Sequence, residues 1–212
     1  MAVLIVMVTR GVVALALVAA VALAGCSGSS YHYVSSSATG TFFKVPSAWR
    51  VFGKTQVLAD PGQLGPRGAT SDRFLVEFDG SPSPNAGHDF ITSGYPFGIA
   101  RVRRLSLQEH DAYSLASLRN EVVPVDNLVN QDPNSVQVKS APKLLTKGGL
   151  RGTKLEYSVH VNSVTFTVEQ IGYVDTPTNT VWYLIVGCSV ACYQRYSGDI
   201  HRVVDSWLVE GK

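Results

Sequence analysis

The chain has no Gly-x-Ser-x-Gly elbow, no His-x-x-x-His or His-Glu-x-x-His pair and no acidic calcium loop. It also has no Gly-rich phosphate loop and no dinucleotide fingerprint; "GGLRG" lacks the Lys-Ser/Thr of a phosphate loop and reads as a turn before a strand. These absences remove the sequence support for a zinc site, a nucleotide site and an elbow-type hydrolase, and no metal, cofactor or catalytic residue is expected. Charge is sparse, at 16% of residues, and formal net charge is +2. Arg10 alone among the basic residues lies in the first 25 positions, and every acidic residue lies beyond them. The remainder is therefore close to neutral, which disfavours nucleic acid as a partner. Cysteine is scarce too, with three in 212 residues, so a disulfide-dense scaffold is excluded.

What is present at the start is apolar. From Gly11 to Ala24 every residue is Gly, Val, Ala or Leu, a run shorter than the ~20 residues that cross a bilayer as a helix. Arg10 precedes it and small residues follow, the layout of a secretory signal. "MAVLIV" is too apolar for the first part of such a signal, and Met7, which begins "MVTR", makes a better initiator than Met1. The run ends in "LAGC", Leu23 to Cys26, which resembles the bacterial lipobox. That resemblance implies removal of residues 1–25 and acylation of Cys26, with the protein held on the outer face of a bacterial cell membrane. Each buried CH₂ of an acyl chain adds ~0.8 kcal/mol, so two or three chains anchor firmly. Residues 26–40, "CSGSSYHYVSSSATG", are rich in Ser and Gly without periodicity and are expected to be a flexible tether reaching roughly 20 Å.

Alternation dominates residues 41–212, which are expected to form a single domain. "RFLVEFD" points Phe74, Val76 and Phe78 one way, and "KLEYSVHV" points Leu155, Tyr157, Val159 and Val161 inward. Asn162-Ser163 marks a hairpin. In "VTFTVEQIGYVD", Val164, Phe166 and Val168 share a parity that Ile171 and Tyr173 do not, which predicts a bulge or strong twist. "TVWYLIVGC" reads as a strand buried on both faces. "TFFKV", "WRVF", "FGIARVRRL" and "VQVKSAPKLL" are shorter strand candidates, while Ala59 to Gly68 and "GSPSPNAGHDF" are loops. A helix is expected from Ser106, capped reciprocally with Glu109, with Leu107, Leu115, Leu118 and Val122 on one face and Asp111 at its wet edge. A second is expected from about Tyr193 to Asp205, presenting Tyr193, Tyr196, Ile200, Val203 and Val204, with Trp207 beyond. Strands in tandem with helices between and after them give an α+β class, a twisted antiparallel sheet with helices on its faces.

The order "TFFKVPSAWRVF", "GLRGTKLEYSV", a long hairpin, "WYLIVGCS" and a final helix into "SWLV" resembles the PsbP-like fold over roughly residues 40–210. Photosystem oxygen-evolving subunits, a Ran-binding import factor and actinobacterial lipoproteins of the LpqN/LpqT kind share that fold. The resemblance implies a protein that binds rather than one that catalyses, and fold alone transfers no activity.

Cys188 and Cys192 flank "SVA" at a strand-to-helix junction and, outside the cytoplasm, are expected to pair as a structural disulfide. A redox pair or half a metal site are the alternatives; the first favours tighter spacing and the second needs neighbours that are not adjacent. His32, His88, His110, His160 and His201 are scattered. "ARVRRL" is the densest basic cluster, with Arg101 and Arg103 on one strand face. The two arginines are candidates to meet an anionic lipid or a partner's acidic patch, against a solvated face paired with acids such as Glu77. Three functions follow. The first is a non-enzymatic envelope lipoprotein that binds a protein or small amphiphile. The second is a lipid or glycolipid carrier with an apolar cavity, and the third a hydrolase.

Overall fold

The computed structural model describes residues 30–59, 72–88, 94–161 and 163–210. The leader and Cys26 lie outside them, as does the loop after Ala59. The strands and helices, in chain order, are β1 (Tyr31–Ser36), β2 (Thr41–Pro46), β3 (Arg50–Gly53), α1 (Lys54–Ala59), β4 (Phe74–Asp79) and β5 (Phe97–Arg104). Three short helices follow, α2 (Leu107–Ala112), α3 (Leu115–Arg119) and α4 (Val125–Gln131). The chain continues through β6 (Val136–Val138), β7 (Lys143–Lys147), β8 (Leu150–Val161), β9 (Val164–Asp175) and β10 (Thr180–Ser189) to α5 (Val190–Asp205) and β11 (Leu208–Val209).

Eight strands form one antiparallel sheet in the order β3-β4-β5-β10-β9-β8-β6, with β7 also paired to β8. A smaller sheet has the order β1-β2-β11. The large sheet is buried on both faces because its central strands carry apolar side chains at both parities. In β10, Trp182, Leu184, Val186 and Cys188 enter one core, and Val181, Tyr183 and Ile185 enter the other. The first core is closed by α5 and the small sheet, through Ile200, Val203 and Val204 and through Phe43, Val45 and Val209. Fully burying a side chain such as Ile200 is worth about 2 kcal/mol. The second core is closed by the short helices, through Val57, Leu118 and Val125.

Three expectations are corrected here. The tether does not extend to residue 40: Tyr31–Ser36 is a strand, paired with β2 from Tyr31↔Pro46 to Ser36↔Thr41. Tyr31, Val34 and Ser36 of β1 are half-buried, and β2 supplies an open ladder for it. The parity change in β9 is not a bulge. Its pairing with β8 runs unbroken from Leu150↔Asp175 to Val161↔Val164, and its pairing with β10 is equally regular. Phe166 and Val168 face the second core and Ile171 and Tyr173 the first, so the apolar run changes core while the strand stays regular. The helix expected from Ser106 is two. The Ser106–Glu109 box is present, but Tyr113 is extended and Ser114 opens a second box with Ser117. Leu107 is consequently 92% exposed, and Asp111 lies in solvent.

Candidate functional site

The β6–β7 connection opens the sheet edge. β6 pairs with residues 157–159 of β8 and β7 with residues 150–154. Between them lies Pro142, which has no N–H to give a ladder. The edge over Leu155 is left without a covering strand, and α3 and α4 stand across from it. The result is a cleft of about 500 Å³ that adjoins a second of about 170 Å³; both are bordered by Arg119, Pro142 and Leu155. Leu115 and Ala116 wall one end, Val125 and Val129 the other. The outer rim is apolar and exposed: Val129 at 37%, Val138 at 53% and Leu144 at 76%.

Buried polar contacts fix the inner wall. The Tyr157 hydroxyl donates to Gln170 Oε1 at 3.0 Å, and Gln170 Nε2 donates to the Leu118 carbonyl, which pins α3 to β9. Burial holds the Tyr157 phenol well above its ordinary pKa, so it remains a donor. Arg119 pairs with Asp126, whose other oxygen accepts from Asn120 Nδ2 at 2.7 Å; the Asp126 N–H donates to Asn120 Oδ1 at 2.9 Å. This clamp joins α3 to α4 and puts the Arg119–Asp126 pair, together with Asn130, on a larger cleft whose other walls are aliphatic.

The residues singled out in the sequence lie elsewhere. Alternation places Arg101 and Arg103 on one face, but that face is covered and offers neither to a partner. Arg101 is 5% exposed and pairs with Asp72. Burial opposes its charge, and the Asp72 carboxylate outweighs that, so its pKa is raised. Arg103 donates to Glu121 through Nη2 at 2.7 Å and Nε at 3.1 Å and meets Glu109 at 2.9 Å. Glu121 also accepts from the Tyr113 hydroxyl. The network fastens α2, the α2–α3 junction at Tyr113 and the segment just after α3 to the sheet. The sulfurs of Cys188 and Cys192 lie at bonding distance, with Cα atoms 5.8 Å apart.

His88 and Ser81 both contact one carboxylate, Asp79, at 2.6 and 2.9 Å, and the Ser81 and Asn85 N–H groups bond to it as well. A relay needs the serine on the imidazole and the imidazole on the acid. Here the acid organises a loop. Among the described residues no group of three His, Cys, Asp or Glu is placed to hold a metal ion.

The cleft was not legible in the sequence. α4, "VDNLVNQ", carries Val125, Leu128 and Val129 at helical spacing, but in seven residues that spacing is a weak signal. Pro142 between two alternating runs was the available clue.

No protein-family model matches the chain, and no curated protein matches it. Among solved structures it is similar to cyanobacterial PsbP (CyanoP) from Synechocystis sp. PCC 6803, at 12% identity over 88% of this chain and 96% of that one, with a TM-score of 0.49. It is similar to LpqN, involved in cell envelope biogenesis of Mycobacterium tuberculosis, at 13% identity over 85% and 91%, TM-score 0.49. The Saccharomyces cerevisiae Ran-binding protein Mog1p matches at 7% identity over 84% and 95%, TM-score 0.48. Likeness at this level carries no argument about role. The α+β class rests on the antiparallel sheets and packed helices themselves.

Proposed function

We propose that the protein is a lipid-anchored binding module of the bacterial cell envelope, held on the outer face of the membrane through acylated Cys26. It acts by binding rather than by turnover, and the cleft between α3–α4 and the β6–β7 edge takes the apolar chain of a small amphiphile. The observation that carries this reading is the cleft itself. Its volume of about 500 Å³ falls in the ~300–1,000 Å³ range of small-molecule sites, and its walls are aliphatic apart from Asn130 and the Arg119–Asp126 pair. The signal-like leader and "LAGC" support the location.

The exposed rim favours a second reading, docking of an envelope protein. Val138 and Leu144 lie on strands at the open edge, where an apolar segment of a partner can rest. One experiment addresses both. Val129→Glu and Leu144→Glu replace exposed side chains, so thermal unfolding should shift little. Oleate binding measured by calorimetry should weaken in both variants. Oleate binding of wild type that neither substitution changes would refute the amphiphile reading. Loss of co-purifying protein in the variants, with no oleate bound by wild type, would select the docking reading.

A further inference from the structure

On the opposite face of β8 and β9, a pocket of about 260 Å³ is bordered by charged groups. Glu156 and Glu169 stand directly opposite one another in the ladder, an arrangement that repels unless a cation lies between them. Lys154 Nζ contacts Glu169 Oε1 at 2.7 Å and Asp205 Oδ1 at 2.6 Å. This one lysine therefore divides itself between β9 and α5. The Glu169 side chain is only 4% exposed, and its Oε2 accepts no hydrogen bond. His201 Nε2, at 3.6 Å, forms an ion pair with it when protonated but is beyond hydrogen-bond range. A buried carboxylate oxygen with no donor is unusual and calls for a partner.

We propose that this pocket binds the primary ammonium group of a small amine or of a lipid headgroup, with Glu169 Oε2 and Glu156 as its acceptors. An ammonium has three donors and no acceptor, which suits a pocket bordered by three carboxylates, Glu156, Glu169 and Asp205, against two lysines, Lys143 and Lys154, and one imidazole, His201. Asp205 and His201 border the pocket from the α5 side, and the Tyr193 hydroxyl lies 3.4 Å from His201 Nε2. The Tyr193 phenol is held well above its ordinary pKa, by burial and then by the Glu169 and Glu156 charges. Lys154 already shows that the pocket accepts an ammonium nitrogen between two of its carboxylates. The incoming group donates a hydrogen bond to Glu169 Oε2, which neither Lys154 nor His201 does.

The test is calorimetric titration of the protein with ethanolamine and with choline, whose trimethylated nitrogen has no N–H to donate. Phosphatidylethanolamine and phosphatidylcholine vesicles run beside them. Ethanolamine is expected to bind with a dissociation constant on the order of 1 mM. Choline should be at least roughly tenfold weaker, because the N–H donors are gone. Glu169→Gln should weaken ethanolamine roughly tenfold, and Glu156→Gln, at a less buried position, carries the same test where the first variant fails to fold. Binding to the ethanolamine vesicles but not to the free amine assigns the headgroup as the source; binding to the free amine alone assigns a soluble one. Failure of both ethanolamine arms overturns the proposal. Equal affinity for choline, or unchanged affinity in the folded glutamine variants, overturns it as well.

Discussion

Arg101 and Asp72 form a pair that burial makes costly to break. Removing the arginine strands a carboxylate inside the second core's edge. Arg101→Met is predicted to lower unfolding free energy by about 3–5 kcal/mol in urea titrations. A loss below about 1 kcal/mol would show that the pair is solvated after all. Glu109 makes a gentler prediction. Partial burial opposes its charge, but the Ser106 N–H and Arg103 outweigh that and lower its pKa below 4.5. Its contribution is therefore fully present above pH 4.5, its unfolded value, and is lost as pH falls through the lower folded value. Urea midpoints of wild type and Glu109→Gln should converge in acid; a constant gap would contradict this. Gly187 is a position with no room: a Cβ there would lie 2.4 Å from the Thr167 carbonyl oxygen of β9. Gly187→Ala is predicted to cost about 2 kcal/mol or more in the same assay. Alternation in the sequence put Arg101 and Arg103 on one face correctly. It could not show that Asp72 and Glu121, distant in sequence, would be waiting there.

Elements were legible where both ends of a pattern lay within one run. The β8–β9 hairpin carries its own register, set by alternation and by the two-residue connection in which Ser163 has φ 66°. α5 extends three residues beyond its expected start because Val190, Ala191 and Cys192 continue the turn after Ser189. The failures came where tertiary contacts decide. A strand with two cores looks, one-dimensionally, like a strand with a bulge. Two capped helices separated by an extended Tyr113 look like one helix with a long stripe. β1 looked like a spacer because its partner, β2, supplies the order that its own composition does not. The β10–α5 junction gives the prediction at this scale. Cys188 and Cys192 are both buried, and the disulfide expected between them closes a very short loop. Reduction or a Cys192→Ser substitution should lower stability by about 2 kcal/mol without abolishing the fold. Two free thiols by mass in the oxidised, denatured protein would contradict the pairing.

At the scale of the whole molecule, a double-faced sheet gives the protein two distinct surfaces along one edge. The apolar cleft lies over Leu155, and the charged pocket lies over Lys154 and Glu156, its neighbours in the same strand. The proposed anchorage is a separate matter, carried by the leader and Cys26. Cys26→Ala is predicted to move the protein out of the membrane fraction or to leave residues 1–25 uncut, as fractionation and mass spectrometry would show; retention with normal processing would contradict the lipobox reading. The central claim is that the cleft is the binding face. Methyl-resolved NMR during titration with oleate tests it most directly. Methyl resonances of Leu115, Val129, Val138 and Leu144 should move together and saturate, while those of Val45, Val186 and Val203 in the opposite core stay fixed. Unmoved cleft methyls, or shifts confined to the α5 side, would contradict the account.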